Sequence, residues 1–169
     1  KIELSIYETN SFLIKKHIKL EKGIMLIEYA AFYGSIQIFQ FLCFNNAKFG
    51  PNLWLFTIHG RNPEMIHLLE ENKVELPNNS YIKCFDEAIK CNHNELADYF
   101  YENFVSIEKD IDQIFDSIVH YQNYSFLSSK ALLENNYEFI FYAACKYNQK
   151  DLVNLLLFDK EIKFNVCEV

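Results

Sequence analysis

Apolar and polar positions along this 169-residue chain repeat a frame instead of alternating. In Ala30-Ala31-Phe32-Tyr33-Gly34-Ser35-Ile36-Gln37-Ile38-Phe39-Gln40-Phe41-Leu42, a small apolar pair is followed by a polar break and then by apolar residues at 38, 39, 41 and 42. The frame recurs from Thr57, Ala88 and Ala144. Its second half reads Met65, Ile66, Leu68, Leu69, then Leu96, Ala97, Tyr99, Phe100, then Leu152, Val153, Leu155, Leu156. Positions i, i+1, i+3 and i+4 share one helical face, so each copy predicts an amphipathic helix of about three turns, where a strand would alternate. A weaker copy starts at Ile118: Phe126 and Leu127 fit, Ser129 and Lys130 fall at apolar positions, and a two-residue insertion restores the register through Ala131 and Leu132. The copies are spaced by 27, 31, 30 and 26 residues, within the range of helical solenoids.

The breaks carry their own chemistry. Ser35, Asn62 and Asn123 share one frame position just before the second helix, where a side-chain oxygen can accept from free backbone N–H groups, and they read as N-caps. Pro63 and Glu64 after Asn62 add a preset φ and a carboxylate at the positive helix end. One position earlier stand Gly34, Arg61, Asn92, Gln122 and Asn148. Gly and Asn suit a left-handed backbone there, and Arg61 and Gln122 do not. Asn45-Asn46, Asn72, Asn103, Asn135-Asn136 and Asp159 mark helix ends, so each unit reads as helix, tight turn, helix, short loop.

Ala30-Ala31-x-x-Gly34-x-x-x-Ile38-Phe39-x-x-Leu42 and Ala144-x-x-x-Asn148-x-x-Asp151-Leu152-Val153-Asn154-Leu155-Leu156-Leu157 resemble the AAxxGxxExVxxLL core of ankyrin repeats. Leu26 to Ser35, with His59 and Glu87-Ala88-Ile89-Lys90-Cys91, is similar to a divergent ankyrin-like family of unknown function expanded in trichomonad-type protists. The resemblance runs from about Ile24 to Phe164. No TPLH box precedes any copy, and the spacings are shorter than the ~33 residues of ordinary ankyrin repeats. The expected fold is therefore all-α: an ankyrin-like helical solenoid of about five helix-turn-helix repeats with shortened or absent β-hairpin fingers. Residues 1–23, with Phe12 to Leu20 as a capping helix, would precede a repeat domain over 24–169, in approximate units 24–50, 51–80, 81–108, 109–136 and 137–169.

Composition narrows the function classes. Only four glycines occur, too few in the right places for a GxGxxG turn, a Walker A loop or a GxSxG elbow. The net charge of −7, with acids gathered between Asp86 and Asp116, disfavours nucleic acid as a partner. The longest apolar run, Phe139 to Cys145, falls short of the ~20 residues that span a bilayer, so no membrane is expected. The chain starts at Lys1 without Met or a leader and reads as an excerpt. Five cysteines, at 43, 84, 91, 145 and 167, form no CxxC pair and mostly sit in helical segments. They read as reduced core thiols in an intracellular protein, cytoplasmic or nuclear.

No cofactor or metal is expected. Cys84, Cys91 and His93 lack the ligand spacing of a zinc site, and His59 and His67 are split across a turn. Trp54 reads as an inter-repeat packing residue. The ankyrin resemblance implies a concave face lined by the first helices. Carrying over its two exposed frame positions gives Phe32, Tyr33, His59, Lys90, His120, Tyr121, Lys146 and Tyr147 as partner-binding residues. Rings and cations in one row suit a protein segment; the same side chains could equally pack laterally between helices. The expectation is a non-enzymatic protein–protein interaction scaffold of unknown partner. The alternative is a structural or self-associating segment of a larger protein.

Overall fold

Small residues at the frame starts let first helices approach closely, and a computed structural model of the chain shows how. It describes residues 24–77, 80–129 and 136–158, and among these it is all-α, with no strand. The expected capping helix at Phe12–Leu20 lies outside the described residues. Ten helices are described: α1 Leu26–Phe32, α2 Ile36–Phe44, α3 Leu53–Gly60, α4 Pro63–Glu71, α5 Ile82–Lys90, α6 Asn94–Asn103, α7 Ile107–His120, α8 Tyr124–Ser129, α9 Tyr137–Lys146 and α10 Lys150–Phe158. They pair as the frame predicts, each first helix followed after a tight turn by its second. The fourth pair ends in the short α8, where the frame is weakest.

The chain divides into two compact units, residues 1–87 and 88–169. In the first, α1 packs on both α2 and α3, and α3 packs on α4. Phe39, Leu42, Trp54, Phe56, Ile58, Met65 and Leu69 fill this core. Trp54 buries its ring, donates its indole N–H to the Val74 carbonyl at 3.1 Å and meets Tyr81 edge-on. In the second unit, α7 packs on α9 and α8, and α9 on α10. Ile114, Phe115, Ile118, Val119, Phe126, Ile140 and Leu156 form its core.

The turn inside every pair has one backbone shape. Gly34, Arg61, Asn92, Gln122 and Asn148 all have positive φ, between 50° and 62°. Arg61 and Gln122 thus depart from expectation: hydrogen bonding, and not side-chain preference, sets the conformation. The N–H of each of the five donates to the carbonyl three residues back, and Ser35, His93, Asn123 and Gln149 donate five residues back to Ala30, Ala88, Ile118 and Ala144. These are the two bonds of a Schellman ending, which requires a left-handed residue. A side chain held there costs about 1–2 kcal/mol. Less the chain entropy that glycine loses on folding, Arg61→Gly and Gln122→Gly are each expected to stabilise by about 0.5–1 kcal/mol. Urea unfolding midpoints would show it, and a lower midpoint would refute it.

Capping follows the frame in two of three places. Asn62 Oδ1 accepts from Glu64 N–H at 3.0 Å and Met65 N–H at 3.4 Å, and Asn123 Oδ1 accepts from Phe126 N–H at 3.2 Å. Ser35 occupies the N-cap position without a side-chain capping bond. Its ψ of 78° falls short of the extended backbone that aims the cap at the first turn, reached by Asn62 with ψ 109°. At the far ends of the second helices, Asn45, Asn72 and Asn103 donate their side-chain amides to the carbonyls of Phe41, Leu68 and Tyr99, at 2.8, 2.7 and 2.8 Å. Asparagine thus closes the second helices in three successive pairs.

One buried charge stands out in the first unit. Glu28 is almost fully enclosed and accepts from Met25 N–H at 2.8 Å. A Cβ on Gly50 would meet the ends of the Glu28 and Met25 side chains, so any side chain there would have to push them aside. Burial raises the Glu28 pKa above its ordinary value, and the Met25 bond only partly opposes this. A carboxyl raised on folding contributes stability that is full below its unfolded pKa and lost as pH rises through the folded value. Glu28→Gln keeps an acceptor and removes the charge. It is expected to melt above the native chain at neutral pH, with the gap closing near about pH 4, where the native carboxyl is protonated.

Candidate functional site

The row carried over from the repeat frame falls at the C-terminal ends of first helices, where the left-handed turn follows, and the structure gathers Phe32, Tyr33 and His59 in one unit and His120, Tyr121, Lys146 and Tyr147 in the other. In the first, Phe32 ends α1 and His59 lies near the end of α3. Phe32 meets Tyr33 edge-on at 5.1 Å and Phe56 at 6.4 Å, and lies tilted against His59 at 5.8 Å. Tyr33 also stacks on Tyr29. Tyr33 is 65% exposed, whereas Phe32 is half-buried. His59 Nε2 stands 2.6 Å from Glu87 Oε1, with both side chains about nine-tenths covered. Phe32 and His59 therefore pack sideways between neighbouring first helices, and Tyr33 faces solvent.

In the second unit, His120 and Tyr121 at the end of α7 meet Lys146 and Tyr147 at the end of α9. The His120 ring lies 4.4 Å from the Tyr147 ring and 4.6 Å from Tyr121. Lys146 Nζ donates to both Asp116 oxygens, at 2.9 and 2.8 Å, and Tyr147 Oη–H donates to Asp116 Oδ2 at 2.6 Å. The Lys146 ammonium also stands 5.2 Å from the Tyr147 ring centre, within reach of a cation–π attraction. The bond to Asp116 is the main cause that raises the Lys146 pKa, and likewise that of Tyr147, whose proton the carboxylate holds. Lys90, at the end of α5, is half-buried.

Asp116 is the residue that sequence reasoning missed. It sits four residues before His120, one turn back on the same face of α7, so helical spacing puts it beside the row. Its pairing with Lys146 crosses from one helix pair to the next. Chemically, the cluster is a matched acid and base with three rings around them. It offers flat aromatic contact and a few fixed hydrogen-bonding groups.

The thiols differ from expectation. Cys84 is buried, but Cys43 and Cys91 are half-buried and Cys145 is exposed, so a shared core role fails. Cys145 lies on the exposed side of α9, three residues after Tyr142 and one before Lys146, both of which are exposed too. Burial raises the Cys84 thiol well above its ordinary pKa, with Asp86 and Glu87 adding to the effect, which makes it a poor nucleophile. Cys167 lies outside the described residues. Cys84, Cys91 and His93 form no ligand cluster among the described residues. The 2.6 Å between His59 and Glu87 is a hydrogen-bond distance, shorter than the ~3.3 Å between two tetrahedral ligands held at zinc bond lengths of about 2.0 Å.

No helix among the described residues is long and apolar enough to cross a membrane. No family model, curated protein or solved structure matches the chain.

Proposed function

We propose that the chain is a non-enzymatic protein-binding module, an ankyrin-type helical repeat scaffold whose first-helix row holds a segment of a partner protein. One observation carries this reading. At the ends of α7 and α9, His120, Tyr121, Lys146 and Tyr147 converge around Asp116 with Tyr121 37% exposed. Tyrosines and a histidine held by neighbours lose little freedom on binding, which lowers the cost of docking a peptide. In an ankyrin-type arrangement this row, with Phe32, Tyr33, His59 and Lys90, would line a concave face. Lys90 would orient an acidic or C-terminal segment. An intracellular setting, cytoplasmic or nuclear, suits thiols that form no disulfide among the described residues.

The test is affinity capture with the triple variant Tyr33→Ala, Lys90→Ala and Tyr121→Ala. Partners retained by the native chain are expected to be lost while circular dichroism remains helical. Undiminished capture by the helical variant would sink the proposal.

A further inference from the structure

We propose that the outer face of α2 is a self-association surface on which a second copy of this chain docks, α2 against α2. It lies away from the first-helix row, and its argument does not depend on that row. Ile38, Phe41 and Phe44 follow one another on α2 at i, i+3 and i+6, and they are 51%, 62% and 87% exposed. On the opposite side of the helix, Phe39 and Leu42 are buried. At the frame positions matching Ile38 and Phe41, the next second helix of the same unit, α4, has Met65 fully buried and Leu68 half-buried. The repeat frame thus puts apolar side chains at positions that are covered in α4 and bare in α2. Soluble chains rarely leave several large apolar side chains exposed in one stripe without a partner for them.

Charge selects the partner. Each copy carries a net charge of −7, and two copies repel over most of their surface. From Tyr29 to Ala47 there is no Asp, Glu, Lys, Arg or His, the longest such stretch in the chain. On this face two like-charged copies can bring large apolar side chains together with no charged residue of α2 to desolvate. A charged partner would find nothing on this face to pair with. The exposed polar side chains between the rings, Gln37 and Gln40, each carry donors and an acceptor, so the face complements itself. A two-fold interface requires that self-complementarity. A charge-free, Phe-rich centre is also the composition of interface cores.

Sedimentation analysis of the full chain tests the proposal. The native protein should run at twice its 20.1 kDa mass when concentrated and return to 20.1 kDa on dilution. The double variant Ile38→Glu, Phe41→Glu should stay at the single-chain mass, as should Ile38→Lys, Phe41→Lys. Unchanged helical content and melting would show that both fold. An equal mixture of the two should recover the doubled mass, since opposite charges then face each other. A native chain that stays single at every concentration overturns the proposal, and it would mean that another part of the chain or a different protein takes this face. So does a doubled mass that survives the Glu substitutions, or a mixture that fails to recover it.

Discussion

Gly60→Ala is expected to lower the stability of the first unit by about 2 kcal/mol, against the direction that helix propensity alone would give. Gly60 is the last residue of α3, and in a helix alanine is favoured over glycine by about 1 kcal/mol. Here the added methyl has no room. Its Cβ would stand 2.5 Å from the Ala31 carbonyl oxygen and 2.9 Å from that of Phe32. Both are backbone atoms of α1, so neither can swing aside as a flexible side chain would. The two helices must separate, and the contact that Ala30 and Ala31 make possible is loosened. Comparing urea midpoints of the native chain and the variant checks the sign. Stabilisation of about 1 kcal/mol, as propensity alone would produce, would show that α1 and α3 do not approach this closely.

The second large effect belongs to Asn123, which is 1% exposed. Its Oδ1 caps α8 through Phe126 N–H and also accepts from the Ser125 hydroxyl at 2.9 Å. Its amide donates to the Ile89 carbonyl at 3.1 Å and to Asn94 Oδ1 at 2.8 Å, while Asn94 donates to Ser125 Oγ at 3.0 Å. One side chain thus caps its own helix and ties the pair to the one before it. Truncation removes the cap and both bonds from the buried amide to the preceding pair, so Asn123→Ala should cost about 3 kcal/mol. Asn123→Asp is the sharper comparison. It keeps the cap but presents a carboxylate to two acceptors, and it should be destabilising on a similar scale. Asn62, the frame equivalent, reaches the Gly34 carbonyl at a long 3.5 Å in a half-exposed site. Asn62→Ala should therefore cost only about 1 kcal/mol, the size of a lost cap. Equal losses at 62 and 123 would show that the tie between pairs adds nothing.

The repeat frame marks Asn62 and Asn123 as caps but not the tie from Asn123 to the preceding pair. The polar break placed Asn62 and Asn123 at helix starts because capping is a local event, settled within three residues. It placed Arg61 and Gln122 in the turn as well, yet judged them unsuited to it. Side-chain preference is weaker there than backbone bonding, which is the bond from Arg61 N–H to the Ile58 carbonyl in one turn and both bonds of a Schellman ending at Gln122. Ser35 shows the reverse: the right residue type at the right position, with backbone angles that leave its hydroxyl out of the cap. Of the eight residues proposed to bind a partner, Phe32 and His59 pack between helices and Tyr33 stands out in solvent. That difference rests on which helix lies alongside.

The sequence by itself determined the all-α class, the frame that pairs the helices, the turn positions and the asparagines that punctuate them. Each of these depends on residues a few positions apart, along one helix or around one turn. Only the tertiary structure decided the roles that join one pair to the next. These include the missing side chain at Gly60, the reach of Asn123 to Ile89, the hold of Asp116 on Lys146 and Tyr147, and the bare stripe of Ile38, Phe41 and Phe44. The partners in the first three are separated by roughly one repeat, about 30 residues, and no local preference encodes which of them will meet. The stripe is exposed because no described helix covers it, although its residues follow the same apolar pattern that is buried in α4.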